Sequence, residues 1–168
     1  MTKNQNLILS ESQVRQIIKR IAYQIYENNF NEKEIVLVGV FEKGYKLAGL
    51  ITEELKAIAK KQKSTLVRLD INKQKPLAEE VKLDIDLKQL KRKSVLLIDD
   101  VLNTGRTFSH SLKALLDADI KKLETAVLVN RSHKMFPILA AYTGYELSTT
   151  IDEHVEVRLE KDMGVYLH

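Results

Sequence analysis

Val95-Leu-Leu-Ile-Asp-Asp-Val-Leu-Asn-Thr-Gly-Arg-Thr107 decides how this chain is read. An apolar run with the length of a buried strand ends in two adjacent carboxylates, Asp99 and Asp100. A turn rich in amides and hydroxyls, Asn103 to Thr107, follows, and the spacing predicts a helix over Thr107–Ala118. A loop that runs into a helix aims several backbone N–H groups in one direction, and the helix dipole adds to their pull on an anion. Gly105 lets the backbone approach a ligand or take positive φ. Two carboxylates beside an anion site would repel a bare phosphate. They suit a ligand that turns hydroxyls toward the acids and phosphate toward the turn, as a ribose 5-phosphate does.

Working outward, further strands and helices alternate. Ser10-Glu-Ser-Gln13 has the pattern of a capping box, and Val14, Ile17, Ile18, Ile21, Ala22 and Ile25 follow at helical spacing. Asn28–Asn31 ends that helix. Glu34–Val40 is a short apolar run, read as a buried strand, and Gly44–Lys61 reads as a helix. Ser64–Ile71 alternates as a strand does, Asn72–Glu80 is a polar loop containing Pro76, and Val81–Leu87 is a short strand or extended return. Ser94–Ile98 and Leu123–Val129 complete the buried strands. The fold class is therefore α/β, a central parallel sheet flanked by helices. Ligands of such sheets sit beyond the carboxyl ends of the strands, so the loops after Val40, Ile98 and Val129 should share one rim. With 168 residues, 6 Gly, 2 Pro and no repeat, a single domain over 1–168 is expected.

Composition removes several classes. There is no cysteine, which excludes disulfides and thiolate metal sites. The polar opening Met1–Asn6 lacks a secretory pattern, and no apolar run approaches the ~18 residues of a membrane span. A cytoplasmic protein without membrane contact is expected. Lys plus Arg outnumber Asp plus Glu by 27 to 23, a net charge of +4 that suits either a solvated lysine surface or contact with phosphates. A P-loop nucleotidase would need Gly-x4-Gly-Lys-Ser/Thr. Gly39–Gly44 is followed by Tyr45-Lys46, so that motif fails, and Gly-x-Gly-x-x-Gly is absent.

The Val95–Thr107 stretch resembles the phosphoribosyl pyrophosphate (PRPP) motif of type I phosphoribosyltransferases: apolar strand, two acids, two apolar residues, one variable position, then Thr-Gly-Arg/Lys-Thr. The resemblance implies that fold, Rossmann-like with a small hood. It implies that Asp99 and Asp100 hold the ribose hydroxyls, and that Asn103, Thr104, Gly105, Arg106 and Thr107 cradle the 5-phosphate. Glu42, Lys43 and Gly44 stand where the family has its pyrophosphate loop, with Lys43 in a place where arginine is common. Ala126-Val-Leu-Val-Asn-Arg-Ser-His133, Phe136-Pro-Ile138 and Tyr142-Thr-Gly144 resemble the base-binding strand of the pyrimidine-operon regulator/uracil phosphoribosyltransferases. This puts Arg131 and His133 in the base region.

The resemblance further implies transfer of a phosphoribosyl group from PRPP to a nucleobase, most simply uracil, with Mg²⁺ carried by PRPP and a homodimer or homotetramer. Purine-type relatives carry an aspartate at position 103. Asn103 cannot serve as a general base at neutral pH, which argues against hypoxanthine or guanine. Asn130 replaces an aspartate, and Asn72-Lys-Gln-Lys-Pro76 replaces the usual Tyr-Arg of the flexible loop, leaving Lys73 or Lys75 in the arginine's role. The alternative function is a nucleotide-sensing regulator that binds RNA. Its phosphate contacts would come from Lys19, Arg20, Lys60, Lys61, Lys63, Lys91, Arg92, Lys93, Lys121 and Lys122.

Overall fold

The computed structural model describes residues 5–168. Helix α1 (Glu11–Asn28) opens on the expected capping box: the Ser10 hydroxyl accepts from the Gln13 amide, and the Gln13 side chain accepts from the Ser10 N–H. Its apolar stripe, Val14, Ile18, Ile21, Ala22 and Ile25, is buried. Strand β2 (Glu34–Val40), helix α2 (Lys43–Ile58) and strand β3 (Lys63–Asp70) form the first parallel unit. β5 (Ser94–Leu102), α3 (Arg106–Leu115) and β6 (Lys122–Asn130) form the second. Both helices stop short of the sequence expectation, at Ile58 and Leu115, where the chain turns toward its next strand.

The main sheet has the order β4-β3-β2-β5-β6-β7, with β4 (Lys82–Leu83) antiparallel to β3 and β7 (Tyr142–Glu146) parallel to β6. The first unit therefore winds outward from β2 and the second outward from β5. The strand order reverses between those two neighbours, which opens a crevice at their carboxyl ends.

Strand alternation divides the core. Ile35, Leu37, Leu96, Ile98 and Leu128 face α1 and α2, while Val36, Val38, Val95, Leu97 and Val127 face the side covered by Phe108 and Leu115 of α3. Buried Asn29 pins the other end of the sheet. Its Nδ2 donates to the Ile25 carbonyl and the Glu124 carboxylate, and its Oδ1 accepts from the Ser94 hydroxyl.

A second, three-stranded antiparallel sheet forms the hood, in the order β1 (Asn6–Leu9), β9 (Gly164–Leu167), β8 (Val155–Arg158). Val155, Val157 and Val165 turn into the α1/α2 side of the core and seat the hood on the domain. No helix among the described residues is long and apolar enough to cross a membrane.

Candidate active site

The acids do not follow β5 but lie inside it. Asp99 pairs with Val127 and Val101 with Val129, so the sheet ladder fixes the backbone that carries both carboxylates. Both are buried, Asp99 to 3% exposure and Asp100 to 8%. Asp99 Oδ1 accepts from the Asp100 N–H at 2.9 Å, and the Lys73 ammonium donates to both Asp99 oxygens at 3.2 and 3.1 Å. Burial, and then the neighbouring Asp100 carboxylate, push the Asp99 carboxyl up to about 8, with the Lys73 ammonium opposing them. The pair thus resists carrying two negative charges without a cation close by.

Beyond the acids the strand ends and the chain turns into α3. Gly105, at φ 84°, is the residue before the helix, a conformation that a side chain disfavours. The Thr104 hydroxyl accepts from the Arg106 N–H at 3.2 Å, while the Thr107 and Phe108 amides lie in the first turn, where a helix offers no partner. The Thr104 carbonyl accepts from the Met135 and Phe136 N–H groups at 2.9 and 3.0 Å, tying this turn to the segment after β6.

The turn after β2 comes in from the other side of the strand-order reversal. The Phe41–Glu42 peptide is cis. Helix α2 starts at Lys43 without a side-chain cap, so its first amides are open as well. Gly44 packs so close to β5 that a Cβ there would sit 2.7 Å from the Ile98 carbonyl and 2.8 Å from an Asp99 carboxylate oxygen. The Lys46 ammonium, 2.7 Å from Glu42, holds that exposed carboxyl below its usual range.

These turns enclose a cleft of about 510 Å³ lined by Phe41, Glu42, Lys43, Lys73, Asp99, Asp100, Val101, Asn103, Thr107, Arg131, His154 and Val155. Seven residues expected from sequence, Glu42, Lys43, Asp99, Asp100, Asn103, Thr107 and Arg131, meet there. Thr104, Gly105 and Arg106 shape the turn beneath it, and Gly44 packs behind Asp99. Arg131 is buried, and its guanidinium donates to the Thr149 hydroxyl and to the carbonyls of Thr150 and Glu153. It therefore anchors the segment that leads into the hood. His133 lies outside the lining, with Nε2 3.0 Å from the Thr149 carbonyl.

The cleft also holds two residues that carried little signal in the sequence. Lys73 arrives on the loop after β3. His154 arrives because its backbone pairs with His168 through two hydrogen bonds at the hood edge. A second groove, of about 490 Å³, lies between residues 76–87 and α3. It is lined largely by aliphatic side chains such as Leu77, Val81, Leu83 and Ile85, and takes no residue from either turn.

Arranged this way, hydrogen-bond acceptors and donor turns border one cleft. That is what a ligand with vicinal hydroxyls and two phosphate ends requires. Among the described residues no group of three or more His, Cys, Asp or Glu side chains converges.

Comparisons with known proteins agree with this geometry. Residues 4–162 match the family model described as Phosphoribosyl transferase domain. The chain is 34% identical to the bifunctional protein PyrR of Chloroflexus aurantiacus, covering 96% of this chain and 92% of that one. It is 36% identical to the protein of the same name from Staphylococcus epidermidis, covering 94% of each. Among solved structures, a hypoxanthine-guanine phosphoribosyltransferase from Bacillus anthracis superposes with a TM-score of 0.73 over 86% of this chain and 84% of that one; at 22% identity this bears on the fold alone. The chain belongs to the type I phosphoribosyltransferase family, alongside the proteins named bifunctional protein PyrR.

Proposed function

We propose that the chain binds PRPP in the Asp99–Thr107 cleft and transfers its phosphoribosyl group to a nucleobase, first of all uracil, releasing pyrophosphate. The observation that carries this is the meeting of two buried carboxylates with two open helix starts, those of α2 and α3, at one point of strand-order reversal. In this reading the ribose hydroxyls donate to Asp99 and Asp100. The 5-phosphate accepts from the Thr107 and Phe108 amides and the hydroxyls of Thr104 and Thr107. Lys43 and the first amides of α2 face the pyrophosphate. A base nitrogen attacks C1 as the C1–O bond to pyrophosphate breaks, and the carboxylate pair offsets positive charge developing on the ring. Mg²⁺, held by oxygens of the substrate beside the acids, supplies neutralisation of the leaving group when bound. The attacking N–H of either base class gives up its proton, which the Asn103 amide cannot take and which passes to solvent; what weighs against a purine here is the absence of the aspartate that purine-type relatives carry at this position.

The test is a screen of PRPP and Mg²⁺ with uracil, hypoxanthine, guanine, xanthine and orotate, following nucleotide formation. Asp99→Asn is expected to lower kcat/KM at least tenfold, in line with losing a charged hydrogen bond worth roughly 1.5–3 kcal/mol. Unchanged kcat/KM in that variant refutes the role of Asp99, and failure of all five bases refutes the transferase.

A second reading, an RNA-binding regulator, draws on one observation. Of the ten basic residues singled out in the sequence, eight lie in the turns that begin β3, β5 and β6, at the end of the sheet opposite the cleft. Several pair with Glu32, Glu34, Asp119 or Glu124, whereas Lys60, Lys61 and Lys91 form no ion pair among the described residues. RNA held at that edge would leave the cleft open to nucleotide. A salt-dependent shift with a pyrimidine-operon leader, lost in Lys60→Glu/Lys61→Glu, supports this reading; equal binding to unrelated RNA removes it. A homodimer or homotetramer belongs to the same proposal and is checked by sedimentation.

A further inference from the structure

Lys73 forms an ion pair inside the cleft with the group that the ligand needs. Its ammonium, on a side chain 40% exposed, reaches both oxygens of Asp99, whose side chain is 4% exposed. The Lys73 ammonium favours the ionised form of Asp99 against burial and the Asp100 carboxylate, and once ionised that carboxylate offers about four acceptor directions. The Asp100 N–H and the two ammonium contacts take three of these, so a ribose hydroxyl that bonds Asp99 competes with Lys73 for the space and the charge that remain. Lys73 itself lines the cleft. Its loop leaves β3 directly beside the turn after β2, where the Phe41 N–H donates to the Leu69 carbonyl at 2.9 Å, and the Asn72 side chain accepts from the Gln74 and Lys75 amides, holding the backbone around it in a turn.

We infer that Lys73 is an exchangeable counter-ion that sets ligand preference: it pairs with Asp99 in the empty site and with the pyrophosphate in the filled one. This rests on the PRPP reading above. A ligand with both hydroxyls and pyrophosphate breaks one ion pair and makes another. Ribose 5-phosphate breaks the pair and offers no second anion near Lys73, so it binds at a disadvantage. The product nucleotide, which lacks pyrophosphate, is in the same position, and the return of the ammonium to Asp99 favours its release. Lys73 thus acts as a specificity-determining residue through the charge it exchanges.

The experiment compares wild type, Lys73→Met, Lys73→Arg and, as a control on the same stretch, Lys82→Met. Isothermal titration is run with PRPP and with ribose 5-phosphate, each with Mg²⁺. Hydrogen exchange of residues 72–81 is measured in the ligand-free protein. In Lys73→Met, PRPP is expected to bind several-fold more weakly and ribose 5-phosphate several-fold more tightly, so that the ratio of the two affinities collapses at least tenfold. Exchange over 72–81 should rise. Lys73→Arg should retain most of the preference, and Lys82→Met all of it. Equal weakening of both ligands, no change in either, or the same collapse in Lys82→Met overturns the inference. If wild type binds neither ligand, the proposed function falls first. If wild type binds PRPP and the ratio survives in Lys73→Met, only this inference falls.

Discussion

The two sides of the cleft are built by different means. One side is sheet. Asp99 and Asp100 sit within the β5 ladder, the turn after β2 is wedged against β5 through Gly44, and both turns end in helix starts. The other side hangs from side chains. Lys73 ties the loop after β3 to Asp99, while Arg131 and His133 tie the segment Thr149–Glu153 to the end of β6. Backbone ladders share load among many bonds, whereas a single side chain is a single point of failure. The sheet-built side should therefore open only with global unfolding, and the hung side should open locally. On the proposed function, the groups to be positioned lie on the first side and the groups to move on ligand entry and release lie on the second.

This contrast can be broken most sharply at Gly44. Gly44→Ala forces a Cβ against the Ile98 carbonyl and the Asp99 backbone, neither of which can give way without moving β5. A loss of about 2–3 kcal/mol of global stability in chemical denaturation is expected, together with loss of PRPP binding. A variant as stable as wild type would mean that the wedge is looser than described. Arg131→Ala strikes the hung side. Hydrogen exchange over residues 147–155 should accelerate by an order of magnitude, a local cost of about 1.5 kcal/mol, while the denaturation midpoint moves little. If the midpoint falls as far as in Gly44→Ala, the distinction between the two sides fails. Gly105→Ala places a side chain at φ 84°, and should cost about 1 kcal/mol globally and weaken PRPP binding through the displaced turn.

The smallest effect is a pH slope. The folded carboxyl of Asp99 is pushed up to about 8, above the ordinary aspartate value of 3.8. The folded state therefore holds a proton that the unfolded chain has lost, and the stability this contributes is complete below about pH 4 and gone above about pH 8. Between those limits the melting temperature of wild type should fall by several degrees relative to Asp99→Asn in the ligand-free protein. Parallel profiles from pH 4 to 8 would show that Lys73 alone balances the charge. The same variant should be stable and inactive, the trade expected where an acid is kept for chemistry rather than for folding.

The sheet-built side is also the one that could be read from sequence. The Glu34–Val40 strand appears with those bounds, and the capping box at Ser10 and the strand running into Asp99 are all local patterns. Even there, β5 reaches Leu102, because its continuation is dictated by pairing with β6 and not by its own composition. The hood strands were not legible. β1, β8 and β9 are four residues each, too short for a period of two to stand out. His154 enters the cleft only through that unseen sheet. Lys73 was noticed as one lysine of two in a polar loop, and only the fold brings it to a carboxylate 26 positions away. Arg131 follows a buried strand in the sequence and lines the cleft, yet its hydrogen bonds to a segment 18 to 22 residues later cannot be read from local pattern.

The pairing of β1 with β9 has a consequence for how the molecule comes into being. Asn6 lies opposite Leu167, so the hood joins segments about 160 positions apart. During synthesis the first hood strand must wait, unpaired, while nearly the whole main sheet is made and folds behind it. The roof of the cleft is therefore assembled after its floor. On this order of events a nascent chain has both acids set in the sheet before the hood can close over them.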